Sequence, residues 1–410
     1  MPVQEEAKAP HLATIQSVPR TVVALGFVSL FMDISSEIIH SLLPVFLVTV
    51  LGAGTLSVGF IEGTAEATSQ VAKLFSGAVS DWIGKRKLLV LLGYGIAALT
   101  KPLFPLASGI GVVLVARLVD RIGKGIRGAP RDALIGDVTP VELRGTAFGL
   151  RQSMDTVGAF LGPLLAMLFM AVSGDNFRLV FWIALLPAII SVVLILYGVQ
   201  EPDAPPRTER PPFPIQRSEL RRLDLAYWVL VGIATILTLG RFSEAFLLLA
   251  AQHVGLAIVL IPGVLVTMNV VYAASAYPFG RMADTMNRRM LLALGAVFLI
   301  AADIALAMAG TPWLVFVGVI LWGLHMGATQ GLLSTLVVDA APADLRGTAL
   351  GMYNLITGIA LLLASVLAGW LWTALGPAAT FMAGAAFVGI AVLGMVSWYP
   401  SEDFQVPRPQ

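Results

Sequence analysis

Long apolar segments recur along the whole chain and are separated by short polar segments. Twelve of them have the length, roughly twenty residues, that an α-helix needs to cross the hydrocarbon core of a bilayer. The predicted spans are 22–50, 56–80, 87–107, 110–137, 146–172, 178–199, 226–250, 256–283, 288–309, 312–339, 347–373 and 378–399. This pattern predicts an all-α polytopic membrane protein.

The longest polar interruption follows the sixth span and divides the chain in two. Residues 201–225 are rich in proline and arginine, a composition that can neither cross a membrane nor form a core. We therefore predict an N-terminal tail (1–21), a six-helix bundle (22–200), a linker (201–225), a second six-helix bundle (226–399) and a C-terminal tail (400–410).

The two predicted bundles also repeat in sequence. The segment Glu142–Gly149, ELRGTAFG, returns as DLRGTALG in Asp344–Gly351, 202 residues later. Gly77 and Asp81 return as Gly280 and Asp284, 203 residues later. Two six-helix units in the same orientation predict a pseudo-twofold axis along the membrane normal, an arrangement that transporters use to rock two halves around a substrate.

Composition agrees with a membrane protein. Hydrophobic residues make up 57% of the chain and charged residues 12%, with a mean hydropathy of +0.86, whereas soluble domains are about 25% charged. The net charge of +1 argues against a nucleic-acid partner. Cysteine is absent, which excludes disulfides, thiolate metal sites and cysteine catalysis. The polar first twenty residues do not resemble a cleavable signal peptide, so the first span is expected to act as the insertion signal.

Lysine and arginine are concentrated in the loops on one side of the predicted bundle. These residues are Lys85, Arg86, Lys87, Arg144, Arg207, Arg210, Arg217, Arg221, Arg222, Arg288, Arg289 and Arg346. Positively charged loops stay in the cytoplasm, so this side and both termini are predicted to be cytoplasmic. The compact loops and short tails favour the inner membrane of a bacterium.

The loop between the second and third spans carries a family resemblance. Its pattern Gly77-x-x-x-Asp81-x-x-Gly84-Lys85-Arg86-Lys87 resembles the loop signature of the major facilitator superfamily, and Gly280-x-x-x-Asp284-x-x-Asn287-Arg288-Arg289 is a weaker second copy. Trp82, at a position that is often basic in the family, and Asn287, in place of glycine, depart from the signature. The resemblance implies a monomeric secondary transporter without cofactor, with a central cavity lined by the first, fourth, seventh and tenth spans.

In this family the signature cluster holds the cytoplasmic side closed while the protein faces outward. Gly77 can let helices approach closely, Asp81 can interact with a helix N-terminus, and Lys85 or Arg86 can pair with Asp137. The predicted gating residues are Gly77, Asp81, Gly84, Lys85, Arg86, Asp137, Arg144, Asp284, Arg288, Asp339 and Arg346. The alternative is that these charges only set the topology.

The fourth span contains charges that a lipid-facing helix would not tolerate. Arg117, Asp120, Arg121, Lys124, Arg127, Arg131 and Asp132 fall within an arc of roughly 140°. Each charge at the bilayer centre costs at least ~2.5 kcal/mol, so this face is expected to line a cavity or a protein interior. Five bases against two acids favour an anion, and glycines 123, 125 and 128 would let a substrate approach the backbone.

Other spans supply the remaining candidates. We predict that substrate is bound by Arg117, Arg121, Lys124, Arg127, Glu37, Tyr272 and His325. Because carboxyl groups removed from water can exchange protons near neutral pH, the candidates for proton coupling are Asp33, Glu37, Glu62, Glu66 and Glu244. Seven acids of the first half oppose seven bases, so the alternative is a buried ion-pair network that only fixes helix packing.

The leading functional hypothesis is an alternating-access, proton-coupled transporter of a small anion, bearing carboxylates or phosphates, or of a metal chelate. A drug/proton antiporter is the main alternative, because Gly158-x-x-x-Gly162-Pro163 resembles a motif of antiporting exporters. A divalent metal ion held by Asp33, Glu37 and His40 is a weaker alternative. No nucleotide loop, His-x-x-x-His motif or catalytic domain is found in the sequence, so an enzyme or sensor is not expected.

Overall fold

The computed structural model describes residues 18–83, 85–201, 220–342 and 345–397, without the side chains of residues 78, 81–83, 284, 396 and 397. Gly84, both predicted tails beyond these bounds and most of the predicted linker lie outside the described residues. The described chain is helical, and no strand is found in it. The predicted all-α architecture is confirmed.

In the described residues, twelve helical spans follow one another in the order that the sequence predicts. Their bounds are Arg20–His40 with Leu43–Thr49, Thr55–Ile83, Arg86–Thr100, Ile110–Val138, Arg144–Ser173, Phe177–Ile183 with Leu185–Gly198, Leu225–Gly240 with Ala245–His253, Gly263–Thr285, Arg288–Ala307, Pro312–Asp339, Arg346–Leu375 and Pro377–Ser397. The first, sixth and seventh spans are each broken into two helices. Pro44 lies in the first turn of the second helix of the first span, where its missing N–H is not needed.

Nine of the spans in the described residues are long and apolar enough to cross a membrane by length and composition alone. The exceptions are the second, third and fourth spans. The third has a helix of 15 residues followed by one turn of 3₁₀-helix, whereas the second and fourth carry several charged side chains. Charges in a span are tolerated where they face protein or a water-filled cavity. The second and fourth spans are therefore expected beside the functional site.

Small residues determine how closely the spans pack. A Cβ atom added to Gly123 would lie 2.6 Å from the carbonyl oxygen of Gly93 in the third span, and one added to Gly125 would lie 2.8 Å from that of Ser69 in the second. Glycine at these positions lets the helix backbones meet without a side chain between them. These two glycines therefore pack helices, contrary to the prediction that a substrate approaches the backbone there. Gly128 alone of the three has open space beside it.

The two halves contact each other along two pairs of spans. The second span packs on the eleventh, where Gly59 meets the carbonyl group of Ser365 and Gly63 meets Leu362. The fifth span approaches the eighth, and the amide of Asn269 donates to the carbonyl oxygen of Ala159. Between these contacts lie cavities lined by the first, fourth, seventh and tenth spans, as the family resemblance implies, and also by the second, fifth, eighth and eleventh.

The halves are closed against each other at the side opposite the basic loops. There the second helix of the first span, Leu43–Thr49, contacts the second helix of the seventh, Ala245–His253. Phe46 and Phe246 in these helices are fully buried. The hydroxyl groups of Thr55 and Thr373 are 2.9 Å apart and join the second and eleventh spans at the same side.

Candidate functional site: a charged central chamber

Three adjoining cavities of about 410, 260 and 250 Å³ lie between the halves, and we refer to them together as the central chamber. Glu66 of the second span lines all three cavities. Glu37 and Lys124 line both the 410 Å³ and the 250 Å³ cavities. Because the cavities share these walls, a solute in one of them is within reach of charged groups in the next.

Arg117 and Arg121 of the fourth span pair with acids of the second span. Arg117, only 2% exposed, donates to Glu62 over 2.7 Å. One turn further, Arg121 lies 3.9 Å from Glu66, a looser contact that leaves its Nε without a partner in the described residues. The side-chain amide of Gln70 also donates to Glu66. Arg117 therefore lies in an ion pair rather than on the chamber wall.

Asp120 faces away from the chamber and pairs with a base that the sequence analysis did not single out. Its carboxylate lies 2.9 Å from the amino group of Lys101, which is 1% exposed at the end of the third span. Lys101 also donates to the hydroxyl group of Ser36 in the first span. This buried pair joins three spans behind the chamber.

Two bases of the fourth span, Lys124 and Arg127, are not held in ion pairs with described side chains. The side chain of Lys124 is exposed in the chamber and makes no ion pair within 4.0 Å in the described part of the chain. The guanidinium group of Arg127 stacks on the ring of Tyr94, 4.4 Å from its centroid, and also lacks an ion pair there. Arg131 is held by Asp132 and by the hydroxyl group of Ser29.

Two glycines of the fifth span hold the acids of the first span. A Cβ atom added to Gly158 would lie 2.9 Å from the Cβ atom of Asp33, and one added to Gly162 would lie 2.5 Å from that of Glu37. Both acids line the 410 Å³ cavity. The Gly158-x-x-x-Gly162 pattern therefore acts in helix packing, and it fixes where these two carboxylates lie.

The structure does not gather the three residues considered for a metal ion. His40 contacts Glu37 at 3.3 Å and lies 3.8 Å from Glu62, while Asp33 lines a cavity that His40 does not line. Among the described side chains, no group of three histidine or acidic residues could hold a metal ion. The nitrogens of His40 instead link the acids of the first and second spans.

The second half contributes fewer charges to the chamber. Arg241 and Glu244 lie at the break of the seventh span, and both line the 250 Å³ cavity opposite Glu37. Neither makes an ion pair within 4.0 Å among the residues with described side chains. Tyr272 of the eighth span lines the 410 Å³ cavity. The candidates from both halves thus face one space.

His325 is tied to the packing of the second half. It is fully buried, and its Nδ1 lies 2.8 Å from the carbonyl oxygen of Gly295 in the ninth span. Its other ring nitrogen is 3.5 Å from the hydroxyl group of Thr329, one turn away. The ring borders the 260 Å³ cavity, but its hydrogen bonds join the ninth and tenth spans.

The predicted gating residues form matching contacts at the basic ends of both halves. Arg86 pairs with Asp137, and Arg288, 202 residues after Arg86, pairs with Asp339 at 2.5 Å. Arg144 and Arg346 are exposed at the starts of the fifth and eleventh spans, and Lys85 is exposed in its loop. The side chains of Asp81 and Asp284 lie outside the described residues, as does Gly84.

Gly77 is not tightly packed in this conformation. A Cβ atom added there would meet the Cβ atom of Ala129 at 3.6 Å, an ordinary van der Waals contact. The close approach predicted for Gly77 is instead found at Gly125, where the same two spans meet.

The buried polar residues that the sequence analysis missed include Lys101, Tyr94 and Asp303. The hydroxyl group of Tyr94 lies 3.0 Å from that of Ser29 and also accepts from Arg131. Asp303 is fully buried in the ninth span. Lys101 and Asp303 are 202 residues apart, so the internal repeat was the signal that could have singled them out.

The family of the chain follows from its similarity to known proteins. A family model described as Major Facilitator Superfamily matches residues 25–269 and 245–410. The chain belongs to the major facilitator superfamily. It is therefore a multi-pass membrane transporter rather than an enzyme, as the sequence resemblance implies.

Individual relatives agree with this family over most of their length. An uncharacterized MFS-type transporter of Methanocaldococcus jannaschii is 32% identical over 385 residues, which cover 92% of this chain and 94% of the relative. The inner membrane transport protein YajR of Escherichia coli is 24% identical, over 90% of this chain and 80% of YajR. The crystal structure of the nucleoside transporter NupG matches with a TM-score of 0.76 at 14% identity, over 92% of this chain and 99% of NupG, and shares the fold.

Proposed function

We propose that this major facilitator transporter carries a small anionic solute, bearing carboxylates or phosphates or presenting them on a metal chelate, across the inner membrane of a bacterium. We further propose that protons drive the transport and that the basic loops face the cytoplasm. The E. coli relative is named an inner membrane transport protein, and the loop charges follow the positive-inside rule.

The proposal rests on the charged side chains of the chamber that have no ion pair. In the described residues that line the chamber, four bases and two acids have no ion pair within 4.0 Å: Lys73, Lys124, Arg127, Arg241, Asp33 and Glu244. The internal pairs neutralise most of the other charges. The groups without an ion pair, four bases against two acids, carry an excess of positive charge, which favours an anion beside them.

Lys124 and Arg241 are the bases best placed to hold the anion. They come from opposite halves, and both line the 250 Å³ cavity together with Arg121. An anion between them would be held by charge-assisted hydrogen bonds from both halves. It would favour the conformation in which the two halves are close, which is how a substrate promotes the movement of a rocking transporter.

Asp33 and Glu244 are the proposed proton carriers. Glu62 is committed to Arg117, and Glu66 to Arg121 and Gln70. Glu37 lies 3.3 Å from His40. Asp33 and Glu244 have no such partner among the described residues, so protonation changes their charge without breaking an ion pair. Proton uptake on either would make the chamber more positive and would strengthen anion binding.

The test measures the melting temperature of the detergent-purified protein against a ligand panel. The panel contains di- and tricarboxylates, sugar phosphates, ferric citrate, lipophilic cationic drugs and bare divalent metal ions. A ligand that binds only the folded state, present at about one hundred times its dissociation constant, stabilises it by ~2.7 kcal/mol. We expect a carboxylate, phosphate or chelate to raise the melting temperature of the wild-type protein.

Lys124→Gln separates the chamber site from general charge effects. Loss of one charge-assisted hydrogen bond costs about 1.5–3 kcal/mol, or roughly 10- to 100-fold in affinity, so at the same ligand concentration the shift should fall to about half of its wild-type size or less. Arg20→Gln is the matched control, because Arg20 is an exposed base at the start of the first span. An anion shift that is undiminished in Lys124→Gln, or one that is reduced equally in Arg20→Gln, would contradict the anion site.

A drug/proton antiporter remains a second candidate because of the aromatic wall of the 250 Å³ cavity. Phe242 and Trp322 line this cavity beside Glu244 and Glu37, and acids with aromatic rings suit a lipophilic cation. In the same panel, stabilisation by cationic drugs alone would favour this function. The bases of the fourth span would then serve helix packing.

A further inference from the structure

Asp303 is the least compensated acid among the described residues. Its side chain is fully buried in the ninth span, and neither carboxylate oxygen has a hydrogen-bond partner there. Phe242 lies beside it, with its ring centroid 5.8 Å from that of Trp322 and 5.5 Å from that of Phe381. An ionised carboxylate in such apolar surroundings costs several kcal/mol, whereas a neutral carboxyl group does not.

The internal repeat gives a direct comparison for this position. Asp303 corresponds to Lys101, and Trp322 corresponds to Asp120, both at the repeat offset of 202 residues. In the first half Lys101 and Asp120 form a buried ion pair of 2.9 Å. In the second half the same two positions hold an acid and an indole, and the indole Nε1 also lacks a partner among the described residues. The second half thus has an acid in place of the base, and an indole in place of the group of opposite charge.

Asp303 also adjoins the break of the seventh span. A Cβ atom added to Gly384 of the twelfth span would lie 2.7 Å from Oδ2 of Asp303 and 3.0 Å from the carbonyl oxygen of Gly240. Gly240 is the last residue of the first helix of the seventh span, and no backbone N–H in the described residues donates to its carbonyl group. Two acceptor oxygens therefore border one small space that Gly384, without a side chain, leaves open.

The charged groups of the packed spans do not compensate Asp303. The titratable residues of the seventh, eighth, ninth, tenth and twelfth spans with described side chains are Tyr227, Arg241, Glu244, His253, Tyr272, Tyr277, Arg281, Arg288, Arg289, His325 and Asp339. Arg241 and Glu244 line the chamber, and His325 is bonded to Gly295. His253 packs on Trp372, and Arg288 pairs with Asp339 at the basic end. The remaining groups come from the seventh, eighth and ninth spans, and none of them hydrogen-bonds to Asp303.

We propose that Asp303 is a second proton-binding site, separate from the central chamber, and that its protonation is coupled to the break of the seventh span. In this conformation the carboxyl group is neutral, and its O–H is the donor that the space beside the Gly240 carbonyl group lacks. Release of the proton leaves a carboxylate next to a carbonyl oxygen, two groups that repel each other. The break would then change shape, and with it the position of Arg241 and Glu244 on the chamber wall.

A proton fits this space better than a sodium ion does. Sodium in proteins is held by several oxygen atoms, whereas the three described atoms nearest to this open space are a carboxyl oxygen of Asp303, the carbonyl oxygen of Gly240 and a ring carbon of Phe242. The inference extends the proposed proton coupling. Its test uses stability alone and needs no substrate, so the two proposals can fail separately.

The test compares the melting temperatures of the full-length wild-type protein and Asp303→Asn between about pH 6 and about pH 8.5. The folded wild-type protein holds a proton that the unfolded chain releases, so rising pH favours unfolding of the wild type. Asparagine mimics the neutral acid and cannot ionise. We therefore expect Asp303→Asn to gain several degrees over the wild type as the pH rises.

Controls distinguish this from general effects of pH and charge. Asp224→Asn removes an exposed acid of the same half, and its difference from the wild type should not change with pH. Should Asp303→Asn fail to fold, Asp303→Ser keeps a hydroxyl donor in a smaller volume, and the same comparison applies. A pH-independent difference would overturn the proposal. So would a rise in the melting temperature of the wild type alone with sodium chloride over choline chloride, because the site would then bind sodium.

Discussion

At the scale of single residues, two glycines decide where the acids of the first span lie. Gly158 and Gly162 are four residues apart, as are Asp33 and Glu37, so each glycine meets one acid across the contact between the first and fifth spans. Any side chain at these glycines would push the carboxylates into the chamber. The pattern that resembles an antiporter motif thus has a structural consequence that does not depend on the direction of transport.

Gly162→Ala should destabilise the protein. The new methyl group would lie 2.5 Å from the Cβ atom of Glu37 and 3.1 Å from the carbonyl oxygen of Ile34, and overpacking of this kind costs about 1–3 kcal/mol. Gly149→Ala in the same span is the control, because nothing lies within 4 Å of its added Cβ. Thermal unfolding in detergent should show a lower melting temperature for Gly162→Ala and an equal or higher one for Gly149→Ala. Equal stability of both variants would contradict the packing role.

The sequence located the charged residues better than it located their partners. The arc of the fourth span predicted a face turned from lipid, and the structure places Lys124, Arg127 and Arg131 of this arc along the 410 Å³ cavity. The sequence pattern did not distinguish these three residues from Arg117 and Asp120, which are paired behind the chamber. Helical periodicity gives the face of a residue, but the partner depends on how neighbouring spans are rotated and how close they lie.

At the scale of secondary-structure elements, the third span is held to the fourth by a buried ion pair. Lys101 is fully buried, and its amino group contacts both Asp120 and Ser36. Such pairs are costly to break on one side but cheap to replace as a whole. The pair therefore allows a test of whether buried charges in this protein act in packing alone.

Lys101→Met should strongly destabilise the protein, because it leaves Asp120 buried without its partner. The expected loss is about 3–5 kcal/mol, and the double variant Lys101→Met/Asp120→Leu should recover most of it in thermal unfolding. Transport of the ligand found in the stability panel then separates the two interpretations. A stable and active double variant supports a packing role, whereas a stable but inactive one assigns the pair a function. No recovery in the double variant would show that the two residues are not coupled.

The positions of the spans were predicted within a few residues, but their breaks were not. Apolar segments of about twenty residues gave the twelve spans, and the described helices begin and end near the predicted bounds. The interruptions of the first, sixth and seventh spans were not predicted. A hydropathy pattern records burial, and a short break between two buried helices leaves the pattern apolar. At the break of the sixth span, for example, the hydroxyl group of Ser35 donates to the carbonyl oxygen of Ala184.

At the scale of the whole molecule, the two halves are joined at one side and separated by the chamber. The matching ion pairs Arg86–Asp137 and Arg288–Asp339 each lie within one half, so neither of them holds the halves together in this conformation. The contacts of the second span with the eleventh, which include Thr55 and Thr373, do so. Alternating access requires that these contacts separate at the side opposite the basic loops.

This requirement can be tested because the chain contains no cysteine. Thr55→Cys and Thr373→Cys replace hydroxyl groups that are 2.9 Å apart, so a disulfide between them is expected to form and to lock that side. Thr156→Cys adds a third thiol on the wall of the 410 Å³ cavity. In the proposed orientation the side opposite the basic loops faces outward, so the reaction of this thiol with a membrane-impermeant maleimide added to intact cells reports opening. Oxidation should reduce labelling to the level of a variant that keeps Thr156, and reduction should restore it.

The control carries Thr156→Cys and Thr55→Cys but keeps Thr373, and it should label equally in both conditions. Labelling that persists in the cross-linked protein would mean that the chamber opens by another route, and the rocking of the two halves around the second and eleventh spans would have to be abandoned.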